Sequence, residues 1–349
     1  MTAGAEVLVL GAGPVGCALA LALQGSRHAV RLVEPKSAAH RAFRPIALSH
    51  ASRLILERVG AWGGFSATPI QSIHVSQAGA FGRTRMDASD AGVPALGYVT
   101  QYAELVAALR ERAGVERDAG APARLTVHAE GAAGESRGRR YAHDAVVARV
   151  TAQSPPAGTA YERFTAEGPL ALLPLGADWA LVWTARPERA AALLAAPPQA
   201  FLEQLQQAFG ERAGRFTAVH GRARAPLELR VRGSRVRGRE VYIGNAAQTL
   251  HPVAGQGLNL GLRDAWELAQ VLRDAPDPGD AGVLARYAAQ RRLDAAATIG
   301  ITELLARSFA GTNPLARAAR GAALTALDLV PVARRFFARR MMFGPSALP

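Results

Sequence analysis

The sequence predicts an α/β fold: a parallel sheet flanked by helices, an antiparallel β-sheet domain inserted into it, and helices toward the C-terminus. Three observations carry this. An apolar run enters the glycine turn Gly11-Ala12-Gly13-Pro14-Val15-Gly16, continues into helical spacing, and is followed by a second apolar run ending on Glu34. Four short apolar runs separated by turn residues lie between residues 145 and 184. Long helical patterns then fill most of the chain from residue 258 onward.

Taken in order, Glu6–Leu10 reads as a buried strand, Val15–Gln24 as a helix opening from the glycine turn, and Ala29–Val33 as a second strand. This βαβ unit implies parallel strands with a right-handed crossover. Ser49–Val59 and Tyr102–Arg112 have helical spacing, and Ile70–Ser76 and Gly82–Met86 read as strands. Ala119–Arg140 is poor in large apolar residues and rich in Gly, Ala and Arg, so irregular structure is expected there. Ala145–Val150, Tyr161–Thr165, Leu170–Pro174 and Trp179–Thr184 read as successive antiparallel strands, and Pro197–Phe209 as an amphipathic helix. Glu240–Ile243 is a further buried strand, and Leu258–Arg273 and Val283–Leu305 are long helices. The tail from Asn313 alternates apolar patches with arginines. It reads either as a packed helix with a solvated basic face or as a surface for anionic lipid or a partner protein.

With 349 residues, 49% of them apolar, the chain can bury a sizeable core. The formal charge of +13 comes from 41 Lys and Arg against 28 Asp and Glu, with Lys36 the one lysine. So basic a surface favours anionic partners. No nucleic-acid module accompanies it, so nucleic acid is not an expected partner. The single cysteine, Cys17, excludes an internal disulfide and suits a reducing compartment; it reads as a small buried hydrophobe. No stretch is apolar enough to span a bilayer. A cytoplasmic protein is expected, held peripherally, if at all, on the inner face of the cell membrane.

A Gly-x-Gly-x-x-Gly pattern alone is a weak signal, but here a strand precedes it, a helix follows, and an acid closes the next strand. Gly11 permits the tight turn, Gly13 lets the backbone approach a pyrophosphate, and Gly16 lets helix and strand pack closely. The helix N-terminus offers free N–H groups to phosphates, and Glu34 is placed to accept from a ribose. This is the signature of a Rossmann-like dinucleotide site. A second signal, Gly244-Asn245 through His251-Pro252 to Gly255-Gln256-Gly257-Leu258-Asn259, lies far downstream, where a nicotinamide domain alone does not account for it. A strand, a turn and a helix start at Gly255–Gly257 would present N–H groups to a second anionic or electron-rich group such as a reduced flavin ring. His251, a lone histidine in a glycine loop, is more often structural than catalytic. No Cys/His cluster suggests a metal.

This second block resembles the second flavin motif of the class A flavoprotein monooxygenases, the p-hydroxybenzoate hydroxylase fold. Within that family it is most similar to the UbiH/VisC group of ubiquinone-biosynthesis hydroxylases, the 2-octaprenyl-6-methoxyphenol hydroxylases above all. Arg44-Pro45-Ile46-Ala47-Leu48-Ser49, Ser52-Arg53, Glu162-Arg163-Phe164-Thr165, Gly168 through Pro174, and Tyr287, Arg291, Arg292, Asp294 and Thr302 also match. The resemblance implies FAD as cofactor and NAD(P)H as co-substrate. The ADP half would be held by Gly11, Gly13, Pro14, Gly16 and Glu34, with Arg44 and Gln101 near the pyrophosphate and ribityl chain. Gly244 and Asn245 would bind the ribityl or pyrophosphate segment. Pro252, Gly255, Gln256, Gly257, Leu258 and Asn259 would face the isoalloxazine, with His251 nearby. No catalytic side chain is assigned, because the oxygen chemistry belongs to the cofactor. The strand ending at Pro174 would roof a substrate pocket.

The resemblance further implies a discontinuous FAD domain (1–72, 98–148 and 240–290), a substrate-binding sheet (73–97 and 149–239) and a C-terminal helical region (291–349). It departs in one place. The segment before Ala129 is several dozen residues shorter than in relatives, and the motif Ala129-Glu130-Gly131-Ala132-Ala133-Gly134-Glu135-Ser136-Arg137 has Glu130 for aspartate and Gly134 for serine. The expected activity is ring hydroxylation of a polyprenylated phenol in ubiquinone biosynthesis, with peripheral membrane or multi-enzyme association through the basic tail. Two alternatives stay open: a non-catalytic subunit of a quinone-biosynthesis assembly, and a flavin reductase without oxygen insertion.

Overall fold

The computed structural model describes residues 6–34, 43–117, 122–131, 136–251, 255–308 and 313–344. The chain opens with β1 (Val7–Leu10), α1 (Pro14–Ala22) and β2 (Val30–Val33), as the βαβ reading requires. β3 (Pro45–Ser49) leads into α2 (His50–Arg58), capped where the Ser49 hydroxyl accepts from the Ser52 N–H. β4 (Thr68–Ile70), β5 (Ser72–Gln77), β6 (Arg83–Asp87), the single turn α3 (Ala88–Ala91) and β7 (Gly97–Gln101) follow, before α4 (Tyr102–Ala113) and the short β8 (Val115–Glu116).

The segment expected to be irregular holds a strand. β9 (Leu125–His128) pairs in parallel with β1, Val7 opposite Leu125 through Leu10 opposite His128. Leu125 and Val127 are fully buried. Two apolar residues in alternation suffice for a strand whose backbone is satisfied by neighbours on both sides, a tertiary effect that composition does not reveal. The next strand, β10 (Arg137–Ala152), also starts inside that segment.

β10 is followed by β11 (Thr159–Thr165), β12 (Gly168–Leu175) and β13 (Asp178–Ala185), then α5 (Pro187–Ala195), α6 (Pro198–Phe209) and the sixteen-residue β14 (Phe216–Val231). β15 (Val236–Arg237) and β16 (Glu240–Tyr242) run into a 3-10 turn at Gly244–Ala246 and β17 (Gln248–Thr249). The helices α7 (Gln256–Leu272), α8 (Ala281–Ser308), α9 (Pro314–Leu329) and α10 (Pro331–Phe343) complete the described chain. None of the described helices is long and apolar enough to cross a membrane.

Three sheets result. The first has the order β15-β16-β9-β1-β2-β8, with β16, β9, β1, β2 and β8 parallel, so the short segment before Ala129 leaves the doubly wound order intact. The second has eight strands in the order β17-β14-β10-β13-β12-β11-β5-β6, and β11 joins β5 in parallel rather than antiparallel. The third, β3-β7-β4, bridges them. Because β10 enters the eight-stranded sheet at Arg137, a domain boundary at 148 falls inside one continuous strand. The main core packs α1 and α7 on the parallel sheet around Leu19, Leu32, Leu125, Leu262 and Tyr287.

Candidate cofactor and substrate site

At the C-terminal end of β1 the chain must turn sharply, and Gly11 does so at φ +99°. A Cβ there would stand 2.6 Å from the Glu130 nitrogen, and one at Gly16 would stand 2.0 Å from the Gly11 carbonyl oxygen. Both glycines are therefore required by the protein's own packing. Gly13 differs: its nearest neighbour would be the Tyr102 hydroxyl at 3.6 Å, and its backbone is ordinary extended chain. The chain itself has room for a side chain at Gly13, and that room belongs to a cavity.

The Glu34 carboxylate accepts from the Ala12 N–H (3.2 Å) and from Arg110 (2.6 Å), while Arg110 Nε donates to the Ala12 carbonyl (2.8 Å). Arg110, on α4, carried no motif in the sequence, yet it ties the glycine turn to the acid that closes β2. Cys17 is fully buried beneath the turn, and burial pushes its thiol pKa up to about 12, as expected of a packing residue.

The second block is built over a buried ion cluster. Gly244 takes φ +58°, and its N–H donates to Asp264 (3.2 Å). Asp264 also accepts from Gln248 (2.8 Å) and Arg291 (2.8 Å) and lies 3.1 Å from Arg235. Burial alone would raise the Asp264 pKa, but Arg235 and Arg291 outweigh it and hold the carboxyl below its ordinary value. Arg291 also reaches Asp294 (2.7 Å), which pairs with Arg263 (2.9 Å). Asn259 is a clamp: its carbonyl accepts from the Ser49 N–H (2.8 Å) and the Ser52 hydroxyl (2.7 Å), and its amide donates to Ala47 and Gly255 carbonyls. Its polar atoms hold the β3–α2 turn against the start of α7, so it positions the loop. Gly257, in the first turn of α7, has no protein atom within 4 Å of a built Cβ.

Between these two glycine-rich loops and the eight-stranded sheet lies one cavity of about 1240 Å³. That exceeds the roughly 300–1,000 Å³ of a pocket for one small ligand. Gly11, Gly13, Pro14, Glu34, Arg44 and Glu130 line one end, with Asn245, Gly255, Gln256, Gly257, Leu258 and Asn259 beside them. Ala171 and Leu173 of β12, with Val147 and Val182, roof it, and Leu324, Met341 and Met342 of the last two helices close the far end. Two glycines facing the cavity without a packing reason, beside the N-termini of α1 and α7, fit a long anionic dinucleotide.

Several expected residues sit elsewhere. Gln101 donates to Glu104 (2.7 Å) and does not line the cavity; Gly244 and Gly16 are behind its wall. The Arg44 guanidinium lies 4.4 Å over the Tyr102 ring at the cavity edge. His251 lines a separate cavity of about 230 Å³, edge-on to Tyr141, where burial lowers its pKa to about 4 and keeps the imidazole neutral. Pro252 and Gly134 lie outside the described residues, and Arg137 is an exposed end of β10. The cavity also receives Glu162 of β11, whose carboxyl pKa burial pushes up to about 7. Among the described residues no group of His, Cys, Asp and Glu could hold a metal ion.

The profile of a protein family described as "FAD binding domain" matches residues 123–301. The ubiquinone hydroxylase UbiL of Rhodospirillum rubrum is 31% identical, the match covering 97% of this chain and 89% of that one. The 3-demethoxyubiquinol 3-hydroxylase of Escherichia coli is 28% identical over 95% of this chain and 96% of that one. The alignment with the first spans 384 positions against the 349 residues here, so the relative carries segments this chain lacks. Among solved structures, p-nitrophenol 4-monooxygenase PnpA from Pseudomonas putida superposes with a TM-score of 0.76 at 17% identity, covering 97% of both chains. At that identity the likeness is one of fold.

Proposed function

The chain belongs to the FAD-binding-domain family of flavoprotein monooxygenases, and from that premise we propose that it is an FAD-dependent, NAD(P)H- and O2-using hydroxylase of a polyprenylated phenol in ubiquinone biosynthesis. The observation that carries this is one continuous cavity that reaches from the glycine turn past the start of α7 to an apolar compartment. A catalyst that consumes cofactor and substrate together needs both in one dry space.

FAD, when bound, supplies hydride acceptance and oxygen activation. The chain's own residues do the rest. In this reading Gly13 and the N-terminus of α1 receive the pyrophosphate, Glu34 exchanges its Arg110 and Ala12 contacts for a ribose, and Asn245 and Gly257 lie along the remainder. Residues 1–72, 98–136 and 240–290 form the cofactor-holding part. Residues 73–97 and 137–239, which hold most of the eight-stranded sheet, roof the substrate ring and exclude water. The apolar groups of α9 and α10 accept the prenyl chain.

The test is direct. Purified protein reconstituted with FAD should show flavin absorbance, oxidise NAD(P)H when a 2-polyprenylphenol is added, and yield a product one oxygen atom heavier. Absence of bound flavin after reconstitution sinks the reading. NAD(P)H oxidation without oxygen insertion favours the reductase alternative.

The same reading places the chain peripherally on an anionic membrane, where such a substrate resides. Leu315, Leu329, Val332 and Phe336 on α9 and α10 are each at least 71% exposed, and Arg335 and Arg339 are exposed on α10 beside them. Phosphatidylglycerol vesicles should sediment the protein and phosphatidylcholine vesicles should not. Val332→Ser with Phe336→Ser should weaken that binding about tenfold, near the 1.4 kcal/mol expected of partial burial of two apolar side chains. Equal behaviour toward both vesicles would discard the membrane and leave a protein partner for this face.

A further inference from the structure

The roof of the cavity is mostly apolar, and one acid stands in it. Along β11, Ala160, Glu162 and Phe164 alternate toward the cavity. Glu162 is flanked in register by Val75 of β5 and Ala171 of β12, both lining the same face. Its carboxyl has no hydrogen-bond or ion-pair partner among the described residues. The other acids lining the cavity, Glu34 and Glu130, are at the glycine-turn end.

The strand positions beside Glu162 in the cavity wall present no counter-charge to it, and Arg224 of β14, which also lines the cavity, is paired with Asp144 (2.7 Å). β5 gives Ile73 and Val75, β6 Thr84 and Met86, and β12 Ala171 and Leu173. From α9 the charged lining residue is Arg320, whose Nε donates to Gln77 (3.2 Å). The neighbouring titratable groups on the strands are engaged elsewhere: Arg163 donates to the Ala208 carbonyl, and His74 pairs with Arg212. A carboxyl set into an apolar wall without a partner costs stability. Leucine would fill the position without that cost, so the carboxyl itself requires a reason.

We propose that Glu162 is the proton acceptor for the hydroxyl of the phenolic substrate. The phenol O–H bond breaks, the proton passes to the Glu162 carboxylate, and the electron pair stays on the ring oxygen. That enriches the ring carbons ortho and para to it, one of which takes up the oxygen atom that the bound cofactor would supply. The C–H bond at that carbon then breaks, and its hydrogen moves as a proton to the ring oxygen, which restores the aromatic hydroxyl. When the hydroxylated product leaves, Glu162 returns the proton to water. Desolvation sets the carboxyl near neutrality, where a general base works best. The assignment rests on the hydroxylase reading above.

The test uses the FAD-loaded protein, 2-allylphenol as the probe, and the variants Glu162→Gln and Glu162→Asp. Calorimetric titration without NAD(P)H reads binding alone. Wild-type affinity should rise as pH passes upward through about 7, the Gln variant should show no such step, and the Asp variant, which keeps a carboxyl, should restore it. In turnover, Glu162→Gln should lose on the order of 100-fold in product formation while phenol-stimulated NAD(P)H oxidation persists and releases peroxide. Circular dichroism of the variants checks that the fold is retained. Identical pH dependence of phenol binding in wild type and Glu162→Gln overturns the proposal whatever the turnover. Wild-type protein that binds the phenol but never hydroxylates it overturns the hydroxylase reading instead.

Discussion

Asp264→Asn is expected to lower folding stability by about 3–5 kcal/mol, because it leaves Arg235 and Arg291 buried with too little negative charge. Asp264 and Arg291 are at most 1% exposed, so water cannot replace the lost partner. The change also weakens the acceptor for the Gly244 N–H and for Gln248, and with them the turn that carries Asn245. Flavin retention should fall with stability. The sign of the pH dependence follows from the lowered Asp264 pKa. A depressed carboxyl contributes stability above its unfolded value, near pH 4, and loses it as pH falls through its folded value. The wild type should therefore shed this contribution in acid, whereas the Asn variant lacks it at every pH. Urea denaturation followed by tryptophan fluorescence measures both. A loss below about 1 kcal/mol would mean that the cluster relaxes or admits water.

Gly13→Val should separate folding from cofactor binding. The backbone there is extended and a Cβ has no protein atom closer than 3.6 Å, so thermal unfolding of the apoprotein should shift little. The added methyl groups enter the cavity where a pyrophosphate would approach. FAD affinity should drop on the order of 100-fold, equivalent to about 3 kcal/mol of steric overlap. Gly16→Val is the contrast, since its Cβ would meet the Gly11 carbonyl oxygen at 2.0 Å and the fold itself should suffer. Equal FAD affinity in Gly13→Val and wild type would move the pyrophosphate away from α1.

The parts legible in the sequence were those fixed by local geometry. A glycine turn between a strand and a helix leaves few backbone solutions, so β1, α1, β2 and the path of the turn follow from residues 7–34. The start of α7 is similarly marked by its glycines. What escaped is what long-range contact decides. β9 has two buried apolar residues and becomes a central strand because β1 and β16 supply its hydrogen bonds. The sixteen-residue β14 escaped because its polar alternation resembles a loop. Arg110 reads as one more polar position on an amphipathic helix, yet the fold swings it to Glu34. Asn259 belongs to a recognisable motif, but only the coordinates show its amide turned to Ala47 and Gly255 rather than to a ligand. Asp264 left a faint mark, an acid beside Arg263 on a helix rich in leucine.

The last described helix bears on how the protein is made. α10 supplies Met341 and Met342 to the cavity, and Gly344 packs within reach of Asp294 and Arg263. Ribosomes deliver chains from the N-terminus, so the glycine turn emerges hundreds of residues before the wall that encloses its ligand. Until α10 docks, the apolar compartment stands open to other chains. Cofactor present during synthesis has an open cradle to enter, and premature termination between α8 and α10 would leave a nascent protein with a formed parallel sheet and a gaping, aggregation-prone flank.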